Sequence, residues 1–295
     1  MTESSFMRQT KIVATMGPAT DRPGVLEGLI TAGVDVVRLN FSHGSADEHE
    51  VRAHAVRQLA SAHGRDVAIL ADLQGPKIRV CNFAEGPIQL APGDAFILDA
   101  ELGDDEGDQH AVGITYKEMP GDVSSGDLLL LNDGRITLNV DRVEGAKIHT
   151  IVKDGGQLSD RKGVNRLGGG LSAQALSKKD IEDIKTVAAI EADYMAVSFP
   201  RSGNDMLRAR TLLEAAGGQA RLVAKIERAE ALDCLEEIIE ASDAVMVARG
   251  DLGVEISDAE LPGVQKRVIS LTREMNRLCI TCLLYTSPSP RDQAK

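Results

Sequence analysis

Four short segments of this sequence place cations, in three of them beside acids, at spacings that suit the handling of anionic groups. In Arg38-Leu39-Asn40-Phe41-Ser42-His43-Gly44, the residues Arg38, Asn40 and Ser42 alternate and so share one face of an extended chain. An arginine in that company suits a phosphate or carboxylate, because its planar fork donates two parallel hydrogen bonds. Pairing with a carboxylate on a neighbouring strand accounts for it equally well. The second segment, Asp72-Leu73-Gln74-Gly75-Pro76-Lys77-Ile78-Arg79, puts an acid and two cations around a Gly-Pro step. Alone, that step is a turn; leading into a separate domain, it is a candidate hinge for a lid that excludes water. The remaining two are Lys225-Ile226-Glu227 and Arg249-Gly250-Asp251-Leu252-Gly253. Glu227 and Asp251 could hold a Mg²⁺ ion, which takes one or two carboxylates with water and substrate oxygens. Lys225, two residues before Glu227, points the same way and supplies positive charge where a group in transfer develops negative charge. Two acids salt-bridged as structure are the competing reading.

Such segments need a repeating framework, and the chain supplies one. Short β-branched runs alternate with amphipathic stretches. They are Lys11 to Thr15, a helix over Val25 to Ala32, Asp35 to Leu39, a polar helix over Ala46 to Ala62, and Val67 to Leu70. The alternation resumes after Gly163 with a helix whose Ile181, Ile184, Val187 and Ala188 share a face. A strand over Tyr194 to Ser198, a helix over 205–216, and a strand over Leu222 to Ile226 follow. A helix over Ala229 to Ala241, a strand over Ala244 to Val247, and a helix over Val264 to Arg277 complete the series. Buried, non-alternating strands in repeated βα units predict a parallel sheet covered by helices. The unbroken repeat favours a (β/α)8 barrel, whose active sites lie at C-terminal strand ends. About six strands precede Leu278, where a closed barrel needs eight. Between residues 76 and 160 the character changes to strand-like pieces, Ala95 to Leu98, Asp127 to Leu131 and Ile136 to Val140, separated by Gly/Asp turns. This predicts a small β domain inserted as a lid, with the barrel domain at 1–75 and 161–281.

The 295 residues carry 33 basic and 45 acidic side chains, a net charge of −12. Residues 76–160 hold 16 acids against 7 bases, so most of the excess belongs to the insert. An acidic chain is a poor general binder of nucleic-acid backbone. No apolar run approaches the ~18 to 20 residues of a membrane span, and the N-terminus lacks an apolar signal core, so a cytoplasmic protein is expected. Cys81, Cys234, Cys279 and Cys282 are too few and scattered for a disulfide framework, and Cys279-x-x-Cys282 lacks a second Cys/His pair. Aromatics at 3%, with no Trp, argue against a base-stacking surface. His43, His49, His54 and His63 read as solvated helix residues. Gly168-Gly169-Gly170 lacks phosphate-loop spacing and reads as a flexible return loop from the insert.

Taken in order, several stretches resemble the pyruvate kinase family over about residues 8 to 280. They are Thr10 to Thr20, Arg38 to Gly44, Asp72 to Arg79, Asn132-Asp133-Gly134, Lys162-Gly163-Val164-Asn165, Lys225-Ile226-Glu227, and Val247 to Gly253. The resemblance implies an α/β fold: a (β/α)8 TIM barrel, incomplete at its C-terminal end, with an inserted small β-barrel lid. It implies a glycolytic kinase moving a phosphoryl group from phosphoenolpyruvate to ADP, giving pyruvate and ATP, with Mg²⁺ or Mn²⁺. By the same resemblance, Arg38 binds the phosphoenolpyruvate phosphate, and Arg79 and Lys162 contact the nucleotide phosphates. Lys225 stabilises the phosphoryl group in flight. Glu227 and Asp251 hold the Mg²⁺, and backbone N–H groups near Gly250 receive the substrate carboxylate. Full-length members form homotetramers.

Potassium-dependent members typically read Asp-Thr-Lys-Gly-Pro-Glu where this chain has Asp72 to Lys77. Their monovalent-cation site corresponds to Asn40, Ser42, Asp72 and the residue after it, here Leu73. The Lys77 ammonium stands to supply the same +1 charge, so no K⁺ requirement is expected, as in the potassium-independent branch. Beyond Thr281 the resemblance stops. The family continues into a segment carrying a Thr implicated in proton supply, whereas residues 282–295 form a Ser/Pro tail without a family counterpart. That tail reads as a frameshift, vector or assembly product, with the C-terminal regulatory domain absent. A chain ending there leaves sheet edges open and is expected to be poorly stable and inactive. The alternatives are therefore an inactive fragment and, more remotely, a Mg²⁺-dependent lyase acting on pyruvate-like substrates, which needs neither the hinged insert nor Lys162.

Overall fold

The computed structural model describes residues 9–257 and 259–282. Most of the 282–295 tail thus lies outside the described residues. Seven parallel strands run through them: Val13–Met16, Val36–Asn40, Ala68–Asp72, Tyr194–Val197, Arg221–Ile226, Ala244–Val247 and Leu278–Thr281. The chain divides into two compact units. The first comprises Met1–Gly75, Leu176–Ser198 and Asn204–Ala224; the second comprises Pro76–Ala175, Phe199–Gly203 and Lys225–Lys295.

In the first unit the third strand is central. Asp72 at its end lies opposite Asn40 on one side and Ala196 on the other. Val37, Leu39, Ile69, Leu70, Ala71, Met195, Ala196 and Val197 are buried, the near-continuous apolar run that a helix-covered parallel sheet demands. The helix Ala46–Ala62 starts on a capping box, in which the Ser45 hydroxyl accepts from Glu48 N–H (3.3 Å) and Glu48 accepts from Ser45 N–H (2.8 Å). Ser177 and Asp180 cap Lys178–Ala189 in the same way, and the fully buried Asp180 also accepts from Gly75 N–H at 3.0 Å. One cap thereby pins the backbone just ahead of Pro76. His49 corrects the solvated reading of the helix histidines. It is buried, stacks on Phe41 at 4.0 Å between ring centroids, and bonds the His43 carbonyl through Nε2.

In the second unit, the inserted segment forms a six-stranded sheet in the order Val164–Arg166, Leu128–Leu131, Ile136–Glu144, Lys147–Asp154, Ala95–Asp99, Ala111–Gly113. Pairing is antiparallel except for the last pair. The sheet thus takes an edge strand from beyond residue 160. Its core gathers Phe96, Leu98, Leu129, Leu131, Leu138 and Ile148. The sixth and seventh parallel strands pair with Ala244 opposite Leu278. Two elements differ from the sequence reading. The helix expected over Ala229 to Ala241 is split into a 3₁₀ turn, Glu230–Leu232, and a helix, Leu235–Glu240. Cys234 leaves helical geometry at the break (φ −105°, ψ 20°), and the Glu230 carboxylate is drawn to the Gly170 amide. Conversely, Arg249–Ile256 is a helix, where no helix is expected from the sequence because Gly250 and Gly253 lower its propensity. Among the described residues no helix is long and apolar enough to cross a membrane.

Candidate active site

The second strand aims Arg38 at the end of the third. Its Nε and Nη2 donate to Asp72 Oδ2 at 2.6 and 2.5 Å, and Nη1 donates to Thr15 Oγ1 at 3.0 Å. The pairing read as an alternative is therefore realised, with Asp72 only 1% exposed and Arg38 24% exposed. Asn40 Oδ1 accepts from Ser42 N–H at 3.1 Å, so the chain turns after the strand and Ser42 leaves the shared face expected for it. Leu73 offers no side-chain oxygen: its side chain is buried, its N–H donates to Ala196 O, and its carbonyl accepts from Ser198 Oγ at 2.7 Å.

The second unit holds the other candidates. Lys225 and Glu227 leave the fifth strand together, with Nζ 3.0 Å from Oε1, while Glu227 Oε2 accepts from Phe199 N–H at 3.0 Å. Lys77 Nζ donates to Asp251 Oδ1 at 2.9 Å, with side chains 29% and 24% exposed. Both acids are thus salt-bridged. A bridge between Arg79 and Gly163 brings Arg79 beside Lys162, whose carbonyl accepts from Val80 N–H at 2.9 Å. Arg79 Nη1 donates to the Arg161 carbonyl at 2.8 Å. Gly250 lies in the first turn of Arg249–Ile256, a helix with no side-chain cap, so its leading amides can receive a carboxylate. Glu227 and Asp251 offer hard oxygen donors that suit Mg²⁺. With no group of three metal-ligating side chains among the described residues, further ligands would come from water and substrate, as is usual for that ion.

Sequence reasoning passed over Glu255, although it lies one helical turn after Asp251. It is 6% exposed; Oε2 accepts from Ala229 N–H at 2.9 Å and Oε1 from Asn165 Nδ2 at 3.3 Å. Burial pushes its carboxyl up to about 7, reinforced by Glu230 and opposed by those two bonds and by Arg228. Lys77, Arg228, Asp251 and Glu255 line one small cleft with Phe199 and Leu171. The triglycine loop is tethered rather than flexible. Gly168 N–H donates to Glu255 O and Gly169 N–H to Arg166 O, both at 3.0 Å, and Gly170 N–H donates to Glu230.

Parallel strands alternating with helices, interrupted after the third strand by a β domain, define the α/β-barrel class. The family model for the pyruvate kinase barrel domain matches residues 7–286, and the chain belongs to the pyruvate kinase family. It is 56% identical over 295 aligned residues to pyruvate kinase II of Salmonella typhimurium, covering 97% of this chain and 62% of that protein. It is 57% identical over 281 residues to a pyruvate kinase of Haemophilus influenzae, covering 94% and 59%. A Mycobacterium tuberculosis pyruvate kinase is 45% identical over 267 residues, covering 90% and 56%. The chain thus spans about three-fifths of the length of the first two relatives.

Proposed function

We propose that this chain carries the phosphoryl-transfer centre of a cytoplasmic pyruvate kinase acting on phosphoenolpyruvate and ADP. The observation that carries the reading is the Lys225–Glu227 pair at the end of a buried strand, in the same unit as Lys77–Asp251. Arg38 binds the phosphate of phosphoenolpyruvate with its exposed edge, held in aim by Asp72 and Thr15. Amides at Gly250 and Asp251 receive the substrate carboxylate. Arg79 and Lys162 bind the nucleotide phosphates. The bond from phosphorus to the enol oxygen breaks, and a bond from phosphorus to a β-phosphate oxygen of ADP forms. Lys225 balances the charge that spreads over the phosphoryl oxygens in passage. The enolate left behind takes a proton at carbon and becomes pyruvate. Glu227 and Asp251 hold Mg²⁺ or Mn²⁺, which when bound neutralises phosphate charge. Lys77 supplies the +1 charge that K⁺ provides elsewhere, in place of a cation near Asn40, Ser42, Asp72 and Leu73, so K⁺ is not required.

Phosphoenolpyruvate-dependent ATP formation tests the reading. Activity should require Mg²⁺, fall by ~100- to 1,000-fold in Lys225→Met, as expected for loss of a charge-stabilising group, and respond little to KCl at constant ionic strength. No ATP formation by the folded chain would assign it to a non-catalytic fragment. Pyruvate release without ATP would favour the lyase.

A further inference from the structure

Three segments that carry or directly follow candidate site residues meet at one buried carboxylate. The helix Arg249–Ile256 places Glu255 four residues after Asp251, and positions four apart share a helix face. Glu255 Oε2 accepts from Ala229 N–H, two residues past Glu227, and Oε1 accepts from Asn165 Nδ2, three residues past Lys162. The helix is further tied to the returning insert by Gly168 N–H, which donates to the Glu255 carbonyl at 3.0 Å. The charged groups facing the carboxylate are Glu230 and Arg228. An apolar side chain would fill this site without the cost of burying a carboxylate, so the carboxylate is retained at a penalty. What it provides is directional: two oxygens, set by one rigid group, locate one backbone amide and one side chain.

We propose that Glu255 is a positioning residue that sets the Asp251 helix, the turn after Glu227 and the strand after Lys162 in one fixed arrangement, so that the two acids can share a divalent cation. The proposal rests on the reading of Glu227 and Asp251 as cation ligands. Through-ligand positioning of this kind typically governs metal affinity by about 10- to 100-fold.

The test uses the full chain, with Mn²⁺ as the probe and its free concentration read by electron paramagnetic resonance. Glu255→Ala should weaken Mn²⁺ binding by about tenfold or more, and should speed amide exchange at Ala229 by a similar factor while Gly168, bonded to a backbone oxygen, serves as the internal control. Glu255→Gln should restore Mn²⁺ binding to within about threefold, because Asn165 can turn its amide and present its oxygen to the new NH₂. Should Glu255→Ala fail to fold, as judged by circular dichroism, Asn165→Ala replaces it, with a weakening of about threefold expected. Unchanged Mn²⁺ affinity in a folded Glu255→Ala or Asn165→Ala protein overturns the proposal, as does a Gln variant no better than Ala. If the unsubstituted chain binds no Mn²⁺, or binds it undiminished in Asp251→Asn, the ligand reading fails. Unchanged exchange at Ala229 in Glu255→Ala would then dispose of the clasp as well.

Discussion

Two candidate cations, Arg38 in the first unit and Lys77 in the second, are held in different ways. In the first unit, Arg38 meets a carboxylate that is 1% exposed and is fixed by strand register, since Asp72 is flanked by Asn40 and Ala196. In the second, Lys77 meets an Asp251 that is 24% exposed, across 174 residues of sequence. A buried partner fixes a cation's direction permanently, whereas a partly exposed pair is better screened and more readily exchanged for a ligand. The first arrangement suits a group that must always point one way. The second suits a pair that must part when a cation or phosphate arrives.

The sharpest way to break this contrast is to remove each cation in turn. Arg38→Met strands a buried carboxylate and should cost about 3 kcal/mol of stability in urea unfolding. A loss below about 1 kcal/mol would show that Asp72 is far better solvated than its burial implies. Glu255→Gln probes the second unit through pH. Its folded-state pKa, about 7, exceeds the ordinary carboxyl value of 4.5. Stability from this group is therefore full below 4.5 and is lost as pH rises through 7. The Gln variant should match the parent at pH 4 and exceed it by on the order of 3 kcal/mol at pH 8. An advantage that grows towards acid pH would contradict that sign. Lys77→Met should have the smallest effect, about 1 kcal/mol, because both partners of its pair are partly exposed. A loss equal to that of Arg38→Met would erase the distinction between the two pairs.

The six parallel strands before Leu278 were legible because they are β-branched or apolar runs of strand length, such as Ala244–Val247, spaced by amphipathic stretches. The segments carrying the candidate residues were legible because acids and cations gather at strand exits. What escaped depends on long-range contact. Gly250 and Gly253 lower the intrinsic helix propensity of Arg249–Ile256, which forms despite them. Glu255 was invisible because its partners, Asn165 and Ala229, lie 90 and 26 residues away. His49 left a readable trace: it shares a spacing with Ala53, Val56 and Ala60, the buried stripe of its helix. The partners of Arg38 and Lys77 were not readable, because side-chain pairing is decided by which strands become neighbours.

Gly168, Gly169 and Gly170 have φ values of 80°, 77° and 90°. A β carbon on Gly169 would strike the Glu230 carboxylate, and one on Gly170 would strike the Arg166 guanidinium. Any single-base missense change in a glycine codon introduces a residue with a β carbon, which this left-handed backbone disfavours at every one of the three positions. The loop is therefore a stretch of three successive codons where a one-step replacement is strained, most of all at Gly169 and Gly170. In a saturation library selected for folded protein, it should stand out as a gap in the tolerated alphabet, flanked by more permissive sites such as the exposed Leu167.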